Sequence, residues 1–137
     1  MATATKGTAA VEWSRPSTTN TIGVISVTWT STTTGNVIKI LGDDLSSWDM
    51  GGTITKVVTN PSATAPTSGH LITLTDEDSV DVLNTLGGLS AAVTTSHYIQ
   101  NTGAVTGTVQ QSFRGLMTFN VSGAGSSKKG TTRIYYR

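Results

Sequence analysis

The chain has 137 residues, a size that folds as one domain and buries about two-thirds of the surface its unfolded form exposes. It contains no cysteine, carries a formal net charge of +1 and has only 12% charged residues. Disulfide staples, thiol nucleophiles and cysteine-held metal are therefore excluded, and there is no clustered basic footprint for nucleic acid.

The basic residues are scattered: Lys6, Arg15, Lys39, Lys56, Arg114, the Lys128-Lys129 pair, Arg133 and Arg137. A surface so poor in charge must be covered by hydroxyls and amides, and threonine makes up roughly a fifth of the chain. Threonine is β-branched and suits a pleated, half-buried surface, so the composition predicts an all-β protein. The start, Met1 to Lys6, lacks the apolar core of a signal peptide, and no run has the length of a membrane helix. The expectation is a soluble protein made in the cytoplasm, with neither membrane nor nucleic acid as partner.

In chain order, residues 1 to 10 are small, polar and unpatterned and read as a flexible arm, leaving 11 to 137 as a single domain. Val11-Glu12-Trp13, ahead of Arg15-Pro16, reads as a short edge strand, because Pro16 cannot donate to a ladder. Ile25, Val27 and Trp29 alternate with Ser26, Thr28 and Thr30 in the clearest period-two pattern. Gly35-Asn36 breaks it, Val37 to Leu41 is a further strand, and Gly42-Asp43-Asp44 is turn chemistry. Leu45 to Gly52 reads as a loop or short helical turn carrying Trp48 and Met50. Thr53 to Asn60 follows as a strand, with Ile54 and Val58 on one face and Val57 on the other. Pro61 to Gly69 is a surface loop. His70 to Thr75 resumes alternation, with Ile72 and Leu74 opposite Leu71, Thr73 and Thr75.

An acidic corner comes next, Asp76-Glu77-Asp78, and then Val80, Leu83 and Leu86 at spacings of three. That spacing predicts a short helix at about 79–86, capped by Asp78, with Asp81 in the capping-box position and Gly87-Gly88 as its stop. Its apolar residues would plug one open end of a sandwich. Beyond a linker at 89–95, Ser96 to Gln100 reads as a strand, and 101–112 as a loop or weak edge strand. Leu116 to Val121 is a strong strand with Met117, Phe119 and Val121 on one face. Ser122 to Gly130 reads as a hairpin loop, and Thr131 to Tyr136 closes the chain with Ile134 and Tyr136 opposite Arg133 and Tyr135. Seven to nine short strands at regular spacing predict a jelly-roll-like antiparallel β-sandwich.

No segment assembles a catalytic set. The acidic run Asp76, Glu77, Asp78 and Asp81 lacks the twelve-residue pattern and sharp-turn glycine of a calcium loop, and reads as a solvated corner. His70 and His97 stand alone, with no second ligand at metal spacing, and Ser68 near His70 lacks a nucleophile elbow. Gly123 to Gly130 has the wrong spacing for a phosphate loop and opens a strand. The reading is therefore no enzyme, no cofactor and no metal. Trp13, Trp48 and Met50 are the candidate interface residues: a large apolar side chain in a polar loop or at a strand edge is either a plug or an exposed anchor, and both types are enriched at interface centres.

Thr73-Leu74-Thr75-Asp76-Glu77-Asp78-Ser79-Val80-Asp81-Val82-Leu83, followed by Leu86-Gly87, resembles a corner shared by a group of small tailed-bacteriophage virion proteins, T-L-T-D-E-D-x-V-D-V-L-x-x-L-G. Ile25 to Ser31, Lys56 to Pro61 and Gly130 to Arg137 extend the resemblance over about residues 22–137. Two departures stand out, a longer insert at Asp43 to Met50 and Ser79 where glycine is common. The resemblance implies a virion structural protein, a capsid decoration or cement protein whose partners are the major capsid protein or other virion proteins and further copies of itself. A minor head-fibre, tail or neck component, or a glycan- or receptor-binding module, are the alternatives it leaves open.

Overall fold

A computed structural model describes residues 7–19, 21–41, 51–62, 64, 66, 67, 69–76, 79, 81–83, 86–89, 95–98 and 111–137. These form ten strands: β1 (Thr8–Ser14), β2 (Gly23–Thr30), β3 (Val37–Leu41), β4 (Gly51–Pro61), β5 (His70–Thr75), β6 (Leu86–Leu89), β7 (Thr95–Tyr98), β8 (Gln111–Arg114), β9 (Met117–Ser122) and β10 (Lys129–Tyr136). All pairings are antiparallel, as the threonine-rich alternation predicts. One sheet runs β1-β2-β10-β4-β7, with β8 also on β4; the other runs β3-β9-β5-β6. The inner faces of both sheets meet in one apolar cluster, so the protein is a β-sandwich.

That cluster follows from side-chain alternation. Ile25, Val27 and Trp29 of β2, Ile134 and Tyr136 of β10, and Ile72 and Leu74 of β5 are all buried. So are Met117, Phe119 and Val121 of β9, each pointing inward as period two dictates. β4 departs from the expected assignment. Ile54 and Val57 are both buried, whereas Val58 is only half-buried. Opposite Tyr135 and Tyr136 the register shifts, so that Tyr135 pairs Lys56 while Tyr136 pairs Ile54. The extra residue is Thr55, whose hydroxyl donates to the Tyr135 carbonyl at 3.3 Å. A bulge of one residue inverts the faces beyond it, and no local pattern announces it.

Glycine and aromatic residues meet at both ends of the β2–β10 ladder. Gly130 pairs Trp29, and Gly23 pairs Tyr136. A Cβ on Gly130 would lie 2.6 Å from Trp29 Cζ2, and one on Gly23 would lie 2.5 Å from Tyr136 Cζ. Each ring therefore lies flat over a glycine that has no side chain to displace it. Trp29 Nε1 donates to Thr132 Oγ1 at 3.3 Å, and Tyr136 Oη donates to the Ser14 carbonyl at 3.1 Å. Both buried polar handles are thus satisfied.

Three expectations are corrected. Among the described residues there is no helix at 79–86; Asp81 forms a bridge with Thr75, Val82 and Leu83 are a turn, and Leu86–Leu89 is strand β6 on β5. Val82 N donates to the Leu74 carbonyl at 2.8 Å, a sheet-type bond that a helix would not make. Spacings of three suited a helix, but β5 offered an unpaired edge, and tertiary pairing outweighed local preference. Next, Ser122 to Gly130 is not a hairpin loop: β9 and β10 lie in different sheets, and the segment crosses between them. Finally, β1 begins at Thr8, inside the segment expected to be an arm; residues 1–6 lie outside the described residues.

That crossing is tied to two others at the same end of the sandwich. The buried Ser31 donates from Oγ to the Gly125 carbonyl at 2.6 Å and accepts from Lys128 N at 2.8 Å. Thr67 N donates to the Ala124 carbonyl, and Ala124 N to that of Gly35. The loops after β2, β4 and β9 therefore form one hydrogen-bonded cap. Gly130→Val is expected to destabilise the fold by about 1–3 kcal/mol, because the new side chain has to displace the Trp29 ring. Thermal melting followed by circular dichroism checks this; an unchanged midpoint would mean that the ring gives way freely.

Candidate functional site

The three residues singled out from the sequence have different fates. Trp48 and Met50 lie outside the described residues. Trp13 sits on edge strand β1, half-buried, packed against the core from the inner side. The Arg15 guanidinium lies 4.7 Å from the centre of its ring, which gives the other ring face a cation–π partner. Trp13 thus seals the open seam of the sandwich more than it projects from it.

In the acidic corner, Glu77 and Asp78, with the proposed cap, lie outside the described residues. The Asp81 carboxylate accepts from Leu74 N and from Leu83 N through one oxygen, each at 3.1 Å. It stitches the turn to the end of β5, where two backbone donors would otherwise be unpaired. Ser79 has φ of 63°, in the left-handed region that costs a side-chain-bearing residue about 1–2 kcal/mol. No group of three His, Asp or Glu side chains able to hold a metal occurs among the described residues.

His70 is fully buried, which its place at a strand start did not foretell. Its Nδ1 lies 2.8 Å from the Thr67 carbonyl. A carbonyl can only accept, so Nδ1 carries the proton and Nε2 is the bare nitrogen. Nε2 is buried with no hydrogen-bond partner among the described residues, and the Trp29 ring lies 6.2 Å away, tilted by 58°. Burial pushes the imidazole below its ordinary value, and the Thr67 carbonyl offsets this only in part. The neutral ring fills the core beneath the cap and fastens the β4–β5 loop to it. The backbone of His97 pairs with Val57 in β7.

The two outer faces differ in chemistry. On the four-stranded sheet, Ile38 and Ile40 of β3, Thr118, Asn120 and Ser122 of β9, and Leu71, Thr73 and Thr75 of β5 point outward. None of these eight is ionisable. Leu71 is 43% exposed on β5, and the two isoleucines are half-buried on β3, with β9 between them. The one charged residue of β3, Lys39, is half-buried and lies opposite Phe119 on the inward side, an edge-strand device that discourages pairing with a foreign strand. The outer face of the six-stranded sheet instead carries Glu12, Arg133 and Lys56, with Lys56 Nζ 4.6 Å from the Tyr135 ring centre. Ile38 and Ile40 were readable as the reverse face of β3, but that three strands present one uncharged surface depends on β9 lying between β3 and β5.

Because the folded state holds His70 neutral while the unfolded chain protonates it near its ordinary value, the unfolded state binds the extra proton. Stability is therefore present above about pH 6.5 and declines as pH falls below it. Thermal melts between pH 7.5 and 5 should show this decline, and His70→Gln should flatten it; an identical slope in the variant would assign the acid sensitivity elsewhere. In a second test, Ser79→Gly should raise stability by up to about 1 kcal/mol by relieving the left-handed backbone. Comparison with protein-family models, curated proteins and solved structures returns no significant match.

Proposed function

We propose that this chain is a structural protein of a tailed-phage virion, a decoration protein that docks on the assembled shell and stabilises it. The motif resemblance over about residues 22–137 supplies the virion setting. The observation that carries the docking reading is the uncharged outer face of β3, β9 and β5, with Leu71 43% exposed on β5 and Ile38 and Ile40 half-buried on β3, across Thr118, Asn120 and Ser122 of β9. Interface centres are depleted in charge, and a flat face of threonine methyls and isoleucines can be dried at small cost because it strands no ion.

On this reading the chemistry is adhesion. Each copy covers a modest patch, and many copies on a lattice act together. A protein that binds the assembled shell but not free subunits shifts the equilibrium toward the shell by mass action. No catalytic group or cofactor takes part.

The test uses purified shells lacking this chain. The protein is expected to bind them in hundreds of copies and to raise their disassembly temperature. Leu71→Glu should weaken binding by roughly tenfold or more, since it buries an unpaired charge, while leaving the melting of the isolated protein nearly unchanged. Trp48→Ala is expected to weaken binding in the same way; equal losses of binding and stability would make Trp48 a core residue. Six or twelve copies per particle would point to the tail or neck instead, and no binding would end the proposal.

A further inference from the structure

The outer face of the six-stranded sheet is arranged about β2 in a way that matches itself. In three successive cross-strand rows, β2 contributes Thr28, Ser26 and Val24. On one side β1 places Ala10, Glu12 and Ser14 beside them. On the other, β10 places Thr131, Arg133 and Tyr135. Each row therefore has a small or acidic residue on the β1 side and a larger or basic one on the β10 side, at equal distance from β2.

A two-fold axis laid along β2, between two copies packed face to face, exchanges the two sides and keeps the rows in step. Glu12 of each copy then meets Arg133 of the other, Ser14 meets Tyr135, and Ala10 meets Thr131. Shape agrees with charge. An open hollow of about 220 Å³ is bounded by Glu12, Trp13, Ser14, Val24 and Ser26, on the β1 side of the axis. The rotation carries Tyr135 of the other copy toward it. The hollow is smaller than the roughly 300–1,000 Å³ of ordinary small-molecule sites, so a side chain suits it better than a ligand. Glu12 and Arg133 are exposed, whereas Val24, Ser26, Thr131 and Tyr135 are half-buried.

We propose that the chain forms an isologous dimer through this face, with two Glu12–Arg133 pairs flanking facing β2 strands and each Tyr135 seated in the other copy's hollow. The inference is independent of the docking reading, which uses the opposite sheet. Three strands spaced about 4.8 Å apart and five residues deep make a footprint of roughly 15 by 17 Å, well below the roughly 800 Å² a side of a standard interface, so the dimer belongs to the weak class, exchanging with monomer at concentrations up to about 1 mM.

Sedimentation equilibrium of the full chain, at concentrations up to about 1 mM, reads the outcome. The wild type should dimerise. Glu12→Arg and Arg133→Glu, each placing like charges together twice, should weaken dimerisation by roughly tenfold or more. The double variant Glu12→Arg with Arg133→Glu should recover it to within about threefold, because the pairs reform with reversed sign. Ser14→Trp, which fills the hollow without altering charge, should weaken it independently. Both charged residues are exposed, and unchanged melting confirms that each variant folds. A monomeric wild type, single reversals that leave association unchanged, or a double variant as weak as the singles would overturn the proposal.

Discussion

Strands β2 and β10 meet with a glycine beneath an aromatic ring at each end, Gly130 under Trp29 and Gly23 under Tyr136, and this double contact sets the register that the remaining strands inherit. A slip of one residue would drive each ring into a side chain and turn the inward set of the shifted strand, Ile25 and Val27 of β2 or Ile134 of β10, toward water. β10 is also the strand that joins β2 to β4, so the last segment of the chain completes a sheet begun by the first. The two rings anchor outward from there: Trp29 reaches Thr132 in β10, and Tyr136 reaches the backbone of β1 at Ser14. Both are large buried side chains, the kind whose truncation to alanine costs about 3–5 kcal/mol.

With the core fixed in this way, the surfaces are free to differ. One outer face has no ionisable residue among its eight described positions on β3, β5 and β9. The other carries acid and base in a single row, Glu12, Ser26 and Arg133. Between the sheets, the seam beside β1 is covered by half-buried Trp13 and guarded by inward Lys39 on β3. Under the proposed function these asymmetries have separate consequences: the uncharged face adheres, the charged face selects a partner by complementarity, and the seam resists unwanted strand addition. The cap of crossing loops, with neutral His70 beneath it, holds the far end together and introduces a buried group whose protonation opposes folding.

How much of this could be read from the residues varied from element to element. The inward faces of β2, β9 and β10 were legible because alternation there is unbroken over six to eight residues. β4 was legible as a strand but not in its facing, because a bulge at Thr55 answers to β10 and has no signature of its own. Val80, Leu83 and Leu86 at spacings of three described a helix, yet Leu86–Leu89 pairs with β5. An acidic run read as a solvated corner hid a structural role for Asp81, whose carboxylate closes the turn onto Leu74. Of the surfaces, Ile38, Ile40 and Leu71 were each assignable to the reverse of a strand, but their union required the order β3-β9-β5.

The residues by themselves determined the all-β class, the absence of thiol chemistry and which side chains of an unbroken strand share a face, because composition and the two-residue period are properties of the local chain. Only the tertiary structure decided that residues near position 25 pair with residues near position 134, where the bulge falls, that Asp81 bridges to Thr75 ahead of a turn at Val82 and Leu83, and that His70 is buried with a bare nitrogen. Those outcomes depend on hydrogen-bond partners and packing neighbours tens to a hundred residues away, whose approach a local pattern does not encode.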